Sequence, residues 1–175
     1  MEHKVLESKT MYEGRVFTAK EEKVILPSGM EAIREITLHN GGASILAVDE
    51  DDNIVLIRQY RHAVGKYVLE IPAGALEIGE DPAVCAKREL QEETGYIAKN
   101  LKFLLKMHMS IGYSNEVNYI YLATDLTAGE QNLDYDEEIS VEKYSLKDAV
   151  DMIYSGEITD SKTVAGILAW SCLNR

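Results

Sequence analysis

The sequence contains little cysteine, few cationic side chains and no long apolar run. Cys85 and Cys172 are its two cysteines, which provide neither a disulfide framework nor a zinc-ligand spacing and suit a reducing compartment. Lysine and arginine total 18 against 30 aspartates and glutamates, a net charge of −12, which argues against binding to a nucleic-acid backbone. No apolar stretch approaches the roughly 18 residues that cross a bilayer, and the first residues lack a signal-peptide core. We therefore expect a soluble, cytoplasmic protein that binds neither nucleic acid nor membrane.

The segment around residues 81–95 has the end signals of one helix. Asp81 is a favourable N-cap, and Pro82 suits the first helical position, where its missing N–H costs nothing. Gly95 provides the left-handed residue that commonly ends a helix. These signals predict a helix over roughly Pro82 to Thr94.

The charges on this helix do not favour its stability. At helical spacing Ala83, Ala86 and Leu90 form an apolar face. An acidic face is formed by Glu89, Glu92 and Glu93. Like charges three or four residues apart cost a few tenths of a kcal/mol per pair, and anions near the C-terminal end oppose the helix dipole. Arg88, one turn before Glu92, can hold that carboxylate in place. A bound divalent cation would remove the remaining conflict, while a solvated acidic face is the structural alternative.

The spacing of residues in and before this helix distinguishes these alternatives. The fixed positions are, in chain order, Gly74, Glu80, Arg88-Glu89-Leu90, Glu92-Glu93 and Gly95, separated by five, seven, one and one residues. This pattern resembles the Nudix box of the Nudix hydrolase family, with Tyr96 where an aliphatic residue is more usual. Eight fixed identities make a chance match at a given start about 10⁻⁸ or rarer.

The resemblance implies a metal site made of hard oxygen ligands. The implied cation is Mg²⁺, for which Mn²⁺ could substitute. Its implied principal ligands are Glu89 and Glu93, with Glu92 and Glu80 in or near the same cluster and the carbonyl of Ala73 as a further ligand. Ala73 lies in the turn Pro72-Ala73-Gly74, where proline and glycine bend backbone carbonyls outward. We also count Glu92 and Arg88 among the candidate catalytic residues.

The first part of the chain has a β pattern. Two extended runs, Glu22 to Leu26 and Glu31 to Leu38, flank the turn Pro27-Ser28-Gly29 and predict a hairpin. We therefore expect an N-terminal β-hairpin module over residues 1–40 and a hydrolase domain over residues 41–175. The resemblance, rather than any residue pattern here, implies that the module contributes to a homodimer.

The remainder of the chain combines strand and helix patterns. Short strands are predicted at Ala43 to Val48, Ile54 to Ile57, Tyr67 to Ile71, Leu101 to Met107, Val117 to Ala123 and Ser140 to Tyr144. Two helices follow, one capped by Ser145 and ending before Gly156, the other capped by Asp160 and running from about Ser161 to Leu173. The last helix is expected to bury an apolar stripe made of Val164, Ile167, Leu168 and Leu173. The resemblance implies an α+β fold of Nudix type, an α/β/α sandwich with a mixed sheet.

Arginines stand out because the chain is short of cations. Arg58-Gln59-Tyr60-Arg61 follows an apolar strand and could bind a phosphate and stack on a base, whereas a salt bridge at a strand edge is an equally good interpretation of either arginine. Arg34 is open to the same two interpretations. His108 could act as a base, but a lone histidine beside methionines is more often a structural residue.

An acidic connection between Ala123 and Ile139 is either a solvated loop or part of the site. Its carboxylates are Asp125, Glu130, Asp134, Asp136, Glu137 and Glu138. Next to a metal site, one of them is the best candidate for a general base that orients the attacking water. The resemblance indicates Glu137, and Glu138 remains an alternative because Tyr135-Asp136-Glu137-Glu138 differs from the usual loop.

Beyond the box the chain is similar to the ADP-ribose pyrophosphatase branch of the family. The likeness implies that Arg34 and Arg61 contact the diphosphate or the terminal ribose, that Arg58 belongs to the same substrate-binding group, and that Glu116 bonds a ribose. Ile111 and Asn40 replace prolines typical of that branch, which leaves the choice of sugar open.

The expected activity is Mg²⁺-dependent hydrolysis of a nucleoside diphosphate linked to another group, most specifically of ADP-ribose to AMP and ribose 5-phosphate. Other nucleotide sugars such as GDP-mannose, dinucleoside compounds and oxidised nucleotides are the alternative substrates. A nucleotide sensor without catalysis is less favoured, because every carboxylate of the box is present.

Overall fold

The fold was obtained from a computed structural model that describes residues 2–174. It contains two compact units: one comprises the chain up to Gly41 together with His108–Val117, and the other comprises Gly42–Met107 with the chain from Asn118 onward. Within the described residues, no helix is long and apolar enough to span a membrane.

The first unit is a three-stranded antiparallel sheet. Its strands are β1 (Lys4–Glu13), β2 (Thr18–Ile25) and β3 (Glu31–Leu38), in that order across the sheet. The predicted hairpin is present as β2 and β3, and Gly29 has φ 87° in its turn. Strand β1 was not predicted, because all ten of its residues are exposed and no buried face marks it in the sequence. In the same unit the Thr37 N–H donates to the Tyr113 carbonyl at 2.7 Å.

The second unit is built on a seven-stranded mixed sheet. Its strands are β4 (Gly42–Val48), β5 (Asn53–Arg61), β6 (Lys66–Glu70), β7 (Ala73–Ala75), β8 (Tyr96–His108), β9 (Val117–Ala128) and β10 (Ile139–Ser145). The main path is β10-β5-β4-β9-β8, with β6 paired to β5 and β7 paired to β4. Strands β4 and β9 are parallel, whereas β4 and β5 are antiparallel. Each strand predicted here is present, and β9 extends to Ala128, which shortens the acidic connection.

Three helices accompany this sheet, and all were predicted. They are α1 (Pro82–Thr94), α2 (Leu146–Ser155) and α3 (Ser161–Leu173). The N-cap of α1 is Asp81, whose Oδ1 accepts from the Ala83 N–H at 2.8 Å, and Gly95 ends it with φ 72°. The expected apolar stripe of α3 was wrong at Leu173, which is 66% exposed. The buried face of α3 instead runs through Thr163, Gly166 and Ile167, and Leu173 lies off it.

Alternating side chains of β4 place one apolar cluster on each face of the sheet. Ala43, Ile45 and Ala47 belong to a cluster that includes Cys85, Ala86 and Leu90 of α1. Leu46, which points the other way, belongs to a cluster that includes Ala149 of α2 and Ile167 of α3. The predicted α/β/α sandwich with a mixed sheet is therefore confirmed. The exposed side of α1 and the short strand β7 are left to form a site.

Candidate active site

Arg88 neutralises much of the acidic face of α1. Its Nη1 donates to Glu89 Oε1 at 2.6 Å and to Glu92 Oε2 at 2.9 Å, and its Nε donates to Glu80 Oε1 at 3.2 Å. The predicted contact with Glu92 one turn away is present, but the sequence did not show that the same guanidinium contacts Glu80 and Glu89. The hydrogen bond from Arg88 lowers the pKa of Glu80 below its ordinary value.

Glu93 differs from the other box carboxylates because it is buried, at 2% exposure. Its Oε2 accepts a hydrogen bond from the Ala73 N–H at 2.8 Å. Burial raises the pKa of Glu93 to about 8. A carboxyl of this kind is largely protonated at pH 7 until a cation beside it favours the ionised form.

Gly74 brings the β7 backbone against the helix. A Cβ at residue 74 would lie 1.9 Å from Glu89 Oε1, so any larger side chain would displace that carboxylate. Burial also raises the pKa of Glu89. The first glycine of the box is therefore required because the backbone and a glutamate share the same space.

Most of these groups line a cavity of about 420 Å³ in the second unit, although Glu80 and the buried Glu93 are not part of its lining. Its walls include Ala73, Gly74, Glu89, Glu92 and Glu137. Carboxylate and backbone oxygens are the ligands that a hard cation such as Mg²⁺ takes, so the donor chemistry of the cavity fits one. Among residues 2–174 no three histidine, cysteine or acidic side chains are already grouped as ligands. Three of the box carboxylates face Arg88 instead, and the fourth faces the Ala73 N–H.

The two candidate bases differ in whether they line the box cavity. Glu137 lines the box cavity, and its charge contributes to the raised pKa of both Glu89 and Glu93. It is held by the Asp134 N–H, which donates to Glu137 Oε2 at 3.1 Å. Glu138 does not line that cavity; it lines a neighbouring cavity of about 360 Å³, which Glu137 also borders. Of the two candidates, Glu137 is therefore the one that shares a cavity with Glu89 and Glu92.

Arg58 and Arg61 are both paired with carboxylates within the second unit. Arg58 Nε donates to Glu142 Oε1 at 2.6 Å, and Arg61 Nε donates to Glu70 Oε1 at 2.6 Å with Nη2 to Oε2 at 2.8 Å. These pairs match the salt-bridge interpretation of each arginine. Their role in binding substrate stays a prediction, since a guanidinium held by one carboxylate can present its remaining edge to a phosphate.

Arg34, Glu116 and His108 belong to the first unit. Arg34 lies on β3, is exposed, and donates to the Ile33 carbonyl at 2.9 Å. Glu116 lines a cavity of about 380 Å³ with Phe17 and Tyr113. The roles predicted for Arg34 and Glu116 stay predictions. Ile111 is 83% exposed in the loop before Glu116.

Sequence reasoning missed a buried polar network at the end of β6. Glu70 is 2% exposed and receives hydrogen bonds from Arg61 and from Lys162, which is itself 8% exposed. Lys162 also contacts Asp160 Oδ2 at 3.0 Å. Buried charges of this kind must be paired, but Glu70 and Lys162 are 92 residues apart along the chain. No local pattern indicates them.

Comparison with known proteins bears on the same residues. The family model described as NUDIX domain matches residues 38–165. This range includes the whole box and the loop that carries Glu137.

The chain belongs to the Nudix family. An ADP-ribose pyrophosphatase of Bacillus subtilis (strain 168) is 37% identical over 169 residues, covering 95% of this chain and 91% of that protein. The methanol dehydrogenase activator of Bacillus methanolicus is 38% identical with the same coverage. A GDP-mannose pyrophosphatase of Enterobacter sp. (strain 638) is 34% identical over 75% of this chain and 73% of that protein.

A solved structure described as an ADP compounds hydrolase has a TM-score of 0.87 and 24% identity, and covers 99% of this chain and 94% of that chain. At this identity the likeness shows the fold alone. Taken with the relatives, the chain is a Nudix pyrophosphatase, and Nudix enzymes generally use divalent metals. Nucleotide sugars are the class of substrate that fits its relatives.

Removing Arg88 should make this Nudix protein dependent on a cation for stability. In Arg88→Gln the carboxylates of Glu80, Glu89 and Glu92 lose their shared partner, which should cost about 1–3 kcal/mol without added metal. Added Mg²⁺ should then raise the thermal midpoint more than in the unchanged protein. Lys147→Gln is the control, because it removes an exposed pair with Asp151 on α2. An equal response to Mg²⁺ in both variants would contradict the assignment of the acidic face to a cation.

Removing the buried carboxylate of Glu70 should destabilise the protein strongly. Glu70→Gln leaves Lys162 and Arg61 without their shared anion, and since Lys162 keeps Asp160 we expect the lower end of the roughly 3–5 kcal/mol range. Urea unfolding at pH 7 measures this loss. Glu31→Gln, which breaks an exposed pair with Lys23, should leave the midpoint unchanged.

The same variant should change how stability depends on acid. Burial acts to raise the pKa of Glu70, but the Arg61 hydrogen bond and the Lys162 charge outweigh it, and the pKa lies below its ordinary value. Stability from this ionised group is therefore complete above the unfolded pKa of roughly 4.3 and lost as the pH falls through the lower folded value. Glu70→Gln should lose less stability than the unchanged protein below about pH 4.

Proposed function

We propose that the protein hydrolyses the diphosphate of ADP-ribose, with Mg²⁺ as the working cation, to AMP and ribose 5-phosphate. The observation that carries the proposal is the cavity in which Glu89, Glu92 and Glu137 converge on the β7 backbone at Gly74. The similarity to ADP-ribose pyrophosphatases over nearly the whole chain supports the choice of substrate.

The ligands would be Glu89 and Glu93, with Glu92 and Glu80 near them and the Ala73 carbonyl beside them. Bound Mg²⁺ supplies neutralisation of the diphosphate and a lower pKa for a bound water. Arg88 would exchange carboxylate contacts as the cation binds, since it holds three of the same groups in the structure. The Ala73 N–H keeps Glu93 oriented throughout.

Glu137 would act as the general base. It would accept a proton from the attacking water and direct the oxygen at phosphorus in line with the departing phosphate. Its position on the box cavity supports this role over Glu138. Glu92 and Arg88 would help to fix the cluster, and the arginines at 34, 58 and 61 with Glu116 would bind the rest of the substrate.

Hydrolysis of another nucleotide sugar is the second candidate. Relatives named GDP-mannose pyrophosphatase support it, as do Ile111 and Asn40 at positions where proline is typical of the ADP-ribose branch. A panel of ADP-ribose, GDP-mannose, a dinucleoside diphosphate and an oxidised nucleotide, compared by kcat/KM with Mg²⁺, tests both. ADP-ribose should have the highest value, and a higher value for GDP-mannose would reverse the order of the two candidates.

The assembly is a further part of the proposal. Residues 1–40 would form a β module and residues 41–175 the hydrolase domain of a cytoplasmic homodimer. Exposed apolar side chains of the first sheet, including Met11, Tyr12 and Ile33, support a self-contact there. Light scattering in solution would give the mass of a dimer, and the mass of a single chain would contradict the proposal.

A further inference from the structure

The segment that leads to the turn Pro72-Ala73-Gly74 is held by the start of α3. Thr163, in the first turn of α3, is fully buried, and its Oγ1 accepts a hydrogen bond from the Ile71 N–H at 2.8 Å. The same Oγ1 donates to Asp160 Oδ2 at 2.6 Å. Because an ionised carboxylate only accepts hydrogen bonds, the hydroxyl proton must point to Asp160 and a lone pair is left for Ile71. We call these two hydrogen bonds, from the Ile71 N–H to Thr163 Oγ1 and from Thr163 Oγ1 to Asp160 Oδ2, the relay. Its direction is therefore fixed.

The backbone after Ile71 is held by two further hydrogen bonds. Pro72 has no N–H, and its carbonyl accepts from the Ile45 N–H of β4 at 2.8 Å. The next donor, the Ala73 N–H, bonds Glu93 Oε2 at 2.8 Å. Ile71 and Ala73 are thus consecutive backbone donors, one bound by α3 and the other by α1.

Packing supports the same anchor. Gly166, one turn after Thr163, is buried, and a Cβ there would meet Ile71 Cδ1 at 3.4 Å. The side chain of Ile71 is itself fully buried in the cluster that includes Ile167. Residue 71 is therefore fixed through its N–H and its side chain by one face of α3.

We propose that Thr163 is a positioning residue for the metal site: through Ile71 it sets the place of the Ala73 N–H and carbonyl and hence the orientation of Glu93. It acts through the backbone and does not touch the substrate. The inference rests on the proposed use of the Pro72–Gly74 segment and Glu93 as metal ligands. Outer contacts of this kind typically cost 10–100-fold in metal affinity or activity when they are removed.

Three variants test this role. Thr163→Val keeps the shape and removes the hydroxyl, Thr163→Ser keeps the hydroxyl, and Ile167→Val weakens the packing of the same helix without touching the relay. Mn²⁺ binding in the absence of substrate, followed by electron paramagnetic resonance of the free ion, should weaken about tenfold or more in Thr163→Val. It should stay close to the original in Thr163→Ser and Ile167→Val. Equal affinity in the two valine variants would overturn the inference.

A second readout needs neither metal nor substrate. Hydrogen exchange of the Ile71 and Ala73 amides should be faster in Thr163→Val than in Ile167→Val, since both donors lose a fixed backbone position. Unchanged exchange at both amides would also overturn the inference. If the unchanged protein binds Mn²⁺ but hydrolyses no nucleotide sugar, the proposed function fails, whereas the relay is still decided by these two measurements.

Discussion

Glu93→Gln should abolish most turnover and leave the fold intact. The buried carboxyl has its pKa raised to about 8, so a neutral amide is a close substitute in the absence of a cation, and its oxygen can still accept from the Ala73 N–H. The ionised form is needed only to bind the metal. Loss of a ligand to a cation that stabilises the transition state by several kcal/mol should lower kcat by about 100-fold or more.

Steady-state kinetics and thermal unfolding of Glu93→Gln, measured on one preparation, separate these effects. Gln91→Glu is a useful control, because it changes charge on an exposed position of the same helix and should leave kcat nearly unaltered. Full activity in Glu93→Gln would remove Glu93 from the metal site. A collapse of stability with no metal added would show that its role in the fold had been misjudged.

Glu137→Gln should lower kcat by about 10²–10⁴-fold, the usual contribution of a general base. The variant keeps the shape of the side chain and its acceptor for the Asp134 N–H, so the loop should keep its position. KM should change far less than kcat, since proton transfer belongs to the transition state. Rates measured at saturating substrate across a range of pH would show the effect.

Glu138→Gln is the matched control for this experiment. The two glutamates are adjacent in the sequence and share one cavity, but Glu137 also lines the box cavity and Glu138 does not, so Glu138→Gln should retain most of the activity. A larger loss in Glu138→Gln than in Glu137→Gln would exchange their roles. Equal and small losses would indicate that water is activated without a carboxylate from this loop.

The fold was predictable to the extent that local signals exist for it. Capping residues and glycine determined the bounds of α1, and alternating apolar residues indicated the strands of the second sheet. Strand β1 was not predicted because its residues are all exposed. No alternation of buried and exposed residues in the sequence indicates that it pairs with β2. Leu173 was misplaced because the polar Thr163 and the small Gly166 form the buried face of α3 together with Ile167, and neither of the first two is marked by an apolar pattern.

The sequence named candidate site residues but not their contacts. The spacing of the box selected Gly74, Glu89 and Glu93 as candidates, because a hard cation takes several carboxylate oxygens held close together. No local sequence pattern indicates contacts between residues that are far apart along the chain. The bond from Ile71 to Thr163 joins residues 92 positions apart, and the partners of Arg58 and Arg61 became visible only when the strands were placed side by side.

The most direct test is to follow ADP-ribose by ³¹P nuclear magnetic resonance in the presence of the protein and Mg²⁺. The two diphosphate resonances should be replaced by the phosphomonoester resonances of AMP and ribose 5-phosphate, and chelation of the cation should stop the change. Diphosphate resonances that persist, although the protein binds ADP-ribose and Mg²⁺, would contradict the proposal that the acidic face of α1 hydrolyses this substrate.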